Sequence, residues 1–138
     1  MKRAGFTMIE LIFVIVILGI LAAVAVPKLA ATRNDAKVSA EVASAKQILN
    51  NLAAEYTSQG KIKGDSITEA NKGVKCVQFG PTTGEITDGN VTVTPQSAGD
   101  ACPQTVLDQV KTLAEDNGIL GASGVAKTHE FGGTSVKR

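Results

Sequence analysis

A single acidic residue sits at the head of an apolar run, and that arrangement constrains this chain more than any other feature. Glu10 is the only charged residue between Arg3 and Lys28. From Leu11 to Val26 there is no polar side chain. An apolar run of about 20 residues is long enough to cross a bilayer as a helix. A carboxylate within such a segment is costly unless it meets a partner. Glu10 therefore needs a donor or a cation, and the identity of that partner bears directly on function.

The stretch Met1-Lys-Arg-Ala-Gly5 precedes the run. A basic end before apolar residues is similar to a secretory signal, yet the run is too long for an ordinary signal core. Ala22-Ala-Val-Ala-Val26 also leads straight into further helix-like sequence without a break. The basic side stays cytoplasmic by the positive-inside rule, which puts the remainder across the membrane.

Gly5-Phe-Thr-Met-Ile-Glu10, the apolar helix behind it and then Pro27 resemble the N-terminus of type IV pilins and type II secretion pseudopilins. The matching stretch runs roughly from Met1 to Arg33. The resemblance implies that a membrane-embedded prepilin peptidase cuts between Gly5 and Phe6 and that Phe6 becomes the N-methylated terminus. It assigns Met1–Gly5 as leader, 6–26 as membrane and filament-core helix, 27–59 as an amphipathic continuation, and 60–138 as a small globular part with a mobile C-terminal tail. It implies an α+β, pilin-like fold, a long helix packed on a small antiparallel sheet. The partners it implies are further copies of the same chain, the peptidase, an inner-membrane assembly platform with its ATPase, and minor pilins. The expected location is the inner membrane, single-pass with the domain in the periplasm, and then a periplasmic or extracellular filament. In such a filament Glu10 meets the Phe6 amine of a neighbouring copy and sets register. On a helical face the two positions of one chain are also neighbours.

Beyond the apolar run the residues themselves predict more helix. Pro27 removes one backbone hydrogen bond, but strong helix formers flank it, so a kink is expected rather than a stop. Gly19 is a second soft point. Val38, Val42, Ala45, Leu49, Leu52 and Tyr56 recur at helical spacing and form one face. Lys37, Glu41, Lys46, Asn50 and Glu55 fall elsewhere and are expected to meet water or neighbouring subunits. The many alanines of this half are strong helix formers and permit close approach. Gly60 is a plausible stop. A helix from Phe6 to about Ser58 is roughly 80 Å long, too long for a compact domain of this size.

The remainder reads as short elements. Lys61–Gly73 is expected to be a loop with a short helical turn near Ser66–Asn71. Val74–Phe79, Glu85–Thr87 and Val91–Thr94 are strand-like, with turn chemistry at Gly80–Gly84 and at Asp88-Gly89, which together predict an antiparallel meander. Pro103 fits the first turn of a helix that carries Val106, Leu107, Val110 and Leu113 and ends at Gly118. Thr128–Phe131 is a candidate last strand.

Cys76 and Cys102 are the only cysteines. In a domain outside the cytoplasm an even pair is most simply one disulfide. A metal site needs two further ligands, with His129 the sole histidine, and a redox pair is usually spaced Cys-x-x-Cys. Many pilins carry one disulfide near the C-terminal region, so the resemblance agrees.

Composition excludes several alternatives. The formal charge is +1, and removal of Lys2 and Arg3 brings it to −1. Neither a nucleic-acid stripe nor an acidic tail is visible. Trp is absent and aromatics are scarce, which argues against a large ligand pocket. His129, Glu130, Ser123 and Ser135 lie close in sequence, but no nucleophile-elbow, phosphate-loop or zinc motif accompanies them, so no enzyme, cofactor or metal is expected. Asp35, Asp65, Asp88, Asp100 and Asp116 are scattered rather than spaced as a calcium loop. Because some pseudopilins bind calcium, the resemblance leaves the segment Gly80–Asp100 open for that ion. The expected function is a structural subunit of a type IV pilus or a type II secretion pseudopilus. The alternative is a membrane-anchored binding module such as a competence-type DNA receptor, with Lys61, Lys63, Lys72 and Lys75 as its footprint.

Overall fold

The structure is a computed structural model and describes residues 5–132. It divides into two units, residues 1–35 and residues 36–138. The leader residues Met1–Ala4, the tail from Gly133 and Ser135 lie outside the described residues.

Helix α1 spans Met8–Gln59 and continues through Pro27. Its start is set by Thr7, and its end by Gly60, which has φ +70°. The Gly60 N–H donates to Tyr56 O at 2.7 Å and closes the last turn. In the N-terminal unit every large apolar residue from Phe6 to Leu29 is 48–87% exposed. An 18-residue window there has a mean hydropathy of 3.1, with none of it buried. An uninterrupted apolar surface of this extent is unusual for a soluble monomer, and its length is that of a bilayer span.

The second unit is built on the C-terminal half of α1. Val38, Val42, Ala45, Leu49 and Leu52 are buried, and Tyr56 packs beside them. That face meets α2 (Gly64–Asn71), α3 (Gln104–Asp116) and two small antiparallel sheets. The fold is α+β, a long N-terminal helix packed on small sheets. Phe79, Ile62, Ile67, Leu107, Ile119 and Val91 are essentially inaccessible to solvent.

The strands do not form the expected meander. Strands β2 (Val77–Gly80), β4 (Asn90–Pro95) and β5 (Lys127–Glu130) make one sheet in the order β2-β4-β5. Strand β3 (Glu85–Ile86) pairs instead with β1 (Ile62–Lys63), with Ile62 opposite Ile86. Asp88-Gly89 does turn the chain, with Gly89 at φ +72° and Asp88 accepting the Asn90 N–H at 3.1 Å. The turn passes the chain from one sheet to the other rather than closing a hairpin. Burial of Ile86 beside Ile62 decides the pairing. The same two-residue strand occupies part of Lys61–Gly73, where a loop was expected, and the helical turn expected near Ser66–Asn71 is the eight-residue α2. Ile62 and Ile67, both fully buried, supply the apolar anchors in that otherwise polar stretch.

Two α1 acids expected to meet water or neighbouring subunits are half-buried and bonded within the unit. Glu41 Oε1 accepts the backbone N–H groups of Lys75 and Cys76. Glu55 Oε1 accepts the Lys63 N–H at 3.2 Å and the Ser66 hydroxyl at 3.0 Å. Both carboxylates satisfy donors outside α1, which a helical-periodicity argument cannot register. Asn71, the last residue of α2, does the same for an edge strand. Its amide donates to Phe79 O at 2.9 Å, and its oxygen accepts the Phe79 N–H at 2.7 Å.

Candidate functional site

Gly5, Phe6 and Thr7 precede the first helical turn in extended or irregular backbone. Phe6 is 87% exposed. A Cβ built on Gly5 meets nothing within 4 Å. Among the described residues, packing therefore places no demand for glycine at this position.

Thr7 and Glu10 form a reciprocal cap at the start of α1. Glu10 Oε2 accepts the Thr7 N–H at 3.0 Å and the Thr7 hydroxyl at 2.8 Å. Thr7 Oγ1 in turn accepts the Glu10 N–H at 3.4 Å. This is the Thr-x-x-Glu capping box, which satisfies two of the donors a helix start leaves open. A carboxylate in the first turn is also favoured by the helix dipole. Thr7 is the site residue that the sequence reasoning passed over, although its spacing from Glu10 before an apolar run is the signature of that cap. Helix α1 begins at Met8, so Phe6 and Glu10 of one chain do not share a helical face. The intrachain partner of Glu10 is Thr7. Glu10 Oε1 carries no hydrogen bond among the described residues, which leaves one oxygen for a partner from elsewhere.

Cys76 and Cys102 are joined as a disulfide with a Cα–Cα distance of 5.3 Å. It ties the segment before β2 to the segment before α3. Both residues are almost wholly buried.

The remaining candidates are not assembled into a site. His129 Nε2 lies 2.9 Å from Ile119 O, a contact in which the ring nitrogen donates and which occupies it structurally. Ser123 stands in a 3₁₀ turn with φ 62°. Among the described residues, no group of three or more His, Cys, Asp or Glu is placed to hold a metal ion. The four lysines of the possible nucleic-acid footprint are partly neutralised. Lys61 Nζ pairs with Glu85 at 2.8 Å and Lys72 Nζ with Glu69 at 2.5 Å.

Residues 1–26 match the prokaryotic N-terminal methylation motif, the hallmark of type IV pilins and pseudopilins. The match is confined to the N-terminal segment, which is similar to that of type IV pilin-like subunits. That motif implies processing by prepilin peptidase and pilus assembly, and with the apolar helix it fits a membrane-anchored pilin. No curated protein and no solved structure matches the chain.

Proposed function

We propose that the protein is a polymerising subunit of a type IV pilus or a type II secretion pseudopilus. The precursor lies in the inner membrane with Lys2 and Arg3 on the cytoplasmic side. Prepilin peptidase removes Met1–Gly5 and methylates the new Phe6 amine. An assembly platform and its ATPase then move the subunit from lipid into a helical filament. The globular unit, held by the Cys76–Cys102 disulfide, faces the periplasm and afterwards coats the filament.

One observation carries this reading. The apolar face from Phe6 to Leu29 has no cover within its own unit, and it follows directly on a glycine that the fold does not require. Lipid covers such a surface in the unassembled subunit, and further copies of the same surface cover it in a polymer. Extraction from the bilayer is then offset by burial against other helices. Polar registration comes from Glu10, whose Oε1 is open to the Phe6 amine of an adjoining copy. The attraction between the two charges strengthens as the surroundings become drier, and either charge left alone in the bundle core is strongly unfavourable. Register is thereby tied to completing the pair.

Glu10→Ala tests this assignment in cells that carry the assembly machinery. Insertion and leader removal are expected to stay intact, while the sheared-filament fraction falls by at least tenfold. Wild-type filament yield from the variant contradicts the pairing. The DNA-receptor alternative gains no support from the lysines, since two of the four are paired with acids.

A further inference from the structure

The Cys76–Cys102 disulfide joins two segments that are each held in place by non-covalent contacts. On one side, the Cys102 N–H donates to Gly99 O at 3.1 Å, and the Gly99 N–H donates to Cys102 O at 3.0 Å. That loop is locked on itself just before α3. On the other side, Cys76 precedes β2 and has no such local lock. Its carbonyl accepts the Gln96 N–H at 2.9 Å. Its own N–H, together with that of Lys75, goes to Glu41 Oε1 on α1. Hydrogen bonds to a carboxylate are stronger than neutral ones, and two converging on one oxygen fix both position and direction of the backbone they hold.

We propose that Glu41 is the positioning residue for closure of the Cys76–Cys102 disulfide. The Glu41 carboxylate pins the backbone at Lys75 and Cys76 against α1 and so presents the Cys76 thiol to Cys102 before any covalent bond exists. A cleft of about 460 Å³, lined in part by Lys37, Glu41, Lys75, Cys76 and Asp100, borders this segment, and in the proposal a small disulfide oxidant approaches from it while the bond is still open. With oxidised glutathione the thiolate of one cysteine attacks a glutathione sulfur, forms a mixed disulfide and releases one glutathione thiolate. The second cysteine's thiolate then attacks the protein sulfur of that mixed disulfide, forms the Cys76–Cys102 bond and expels the second glutathione. The two protein thiols lose two protons and two electrons, and one oxidised glutathione becomes two reduced ones. Glu41 takes no proton in this sequence. It raises the effective concentration of one thiol at the other. The proposal stands independently of the filament assignment.

The test is the effective concentration of the thiol pair, measured on the full chain in detergent micelles by equilibration with reduced and oxidised glutathione. Glu41→Ala is expected to lower it by about tenfold, since loss of two charge-assisted bonds frees the Cys76 segment. Glu41→Gln keeps an acceptor oxygen at the same reach and is expected to lose less than about threefold. Glu55→Ala removes the equivalent clamp on Lys63 and Ser66, away from either cysteine, and is expected to leave the value unchanged. An unchanged effective concentration in Glu41→Ala overturns the proposal. An equal fall in Glu55→Ala also overturns it, because general stability then explains the effect. If Glu41→Ala fails to accumulate, Glu41→Asp decides. Its shorter side chain keeps the charge but cannot reach both N–H groups, so a value equal to wild type refutes the clamp.

Discussion

Asn71→Ala removes a contact that shields the open edge of the larger sheet. Among the described residues strand β2 pairs only with β4, so the outward N–H and C=O of Phe79 have no strand partner there. The Asn71 amide satisfies both, at 2.7 and 2.9 Å, and acts as a one-residue strand. Phe79 is itself fully buried, so both groups lie beside the core. A buried backbone group left unpaired costs about 1–3 kcal/mol. Asn71 is only half-buried, so water can reach the gap, and the lower part of that range applies to each group. Alanine regains about 0.5 kcal/mol in helix propensity. The net loss is about 2 kcal/mol. Urea unfolding of the full chain in detergent, followed through the single tyrosine Tyr56, reads this as a midpoint lowered by about 1 M at unchanged slope. Hydrogen exchange at the Phe79 amide is expected to accelerate more than at Val91 in the central strand. Asn50→Ala, at an exposed position of α1, serves as the control and is expected to change stability by less than about 0.5 kcal/mol. A midpoint shift under about 0.25 M with unchanged Phe79 exchange refutes the idea that this side chain completes the sheet.

Three further outcomes follow from the same packing and from the processing site. Replacing both cysteines by alanine removes a crosslink spanning 26 residues of sequence separation, and chain entropy puts the loss at about 3.5 kcal/mol; denaturant unfolding of the oxidised and double-variant proteins measures it. Gly64→Ala places a Cβ 2.8 Å from both Thr82 O and Gly84 O, so overpacking against rigid backbone is expected to cost about 2 kcal/mol, read as a lower thermal midpoint. Gly5→Val leaves the folded unit untouched, because nothing lies within 4 Å of that position, but is expected to block leader removal; the intact mass of the membrane-extracted protein reports it, and a shortened chain contradicts the cleavage assignment.

What the sequence disclosed and what it concealed divide along one physical line. Regular periodicity is a local property, so the apolar run after Glu10 and the buried face from Val38 to Leu52 are legible from spacing alone. The capping box of Thr7 and Glu10 is local too and can be read from its three-residue spacing. Strand pairing is not local. Asp88-Gly89 has hairpin chemistry, yet Ile86 is drawn to Ile62 and the hairpin does not form. A short helical turn near Ser66–Asn71 is legible and becomes α2, whereas strand β1 rests on Ile62 alone in a polar stretch, too little for a pattern to emerge. Glu41, Glu55 and Asn71 are the extreme cases. Each is an ordinary polar residue on a helix, and its role depends on a backbone segment that only the folded chain brings near.

The central claim is that the chain becomes a filament subunit by exposing Phe6 as a new amino terminus next to Glu10. The mass of the N-terminal peptide, recovered from the sheared-filament fraction of producing cells, tests it most directly. The account predicts a peptide beginning at Phe6 and heavier by one methyl group. A peptide that retains Met1–Gly5, or a protein found solely as a monomer in the membrane fraction, contradicts it.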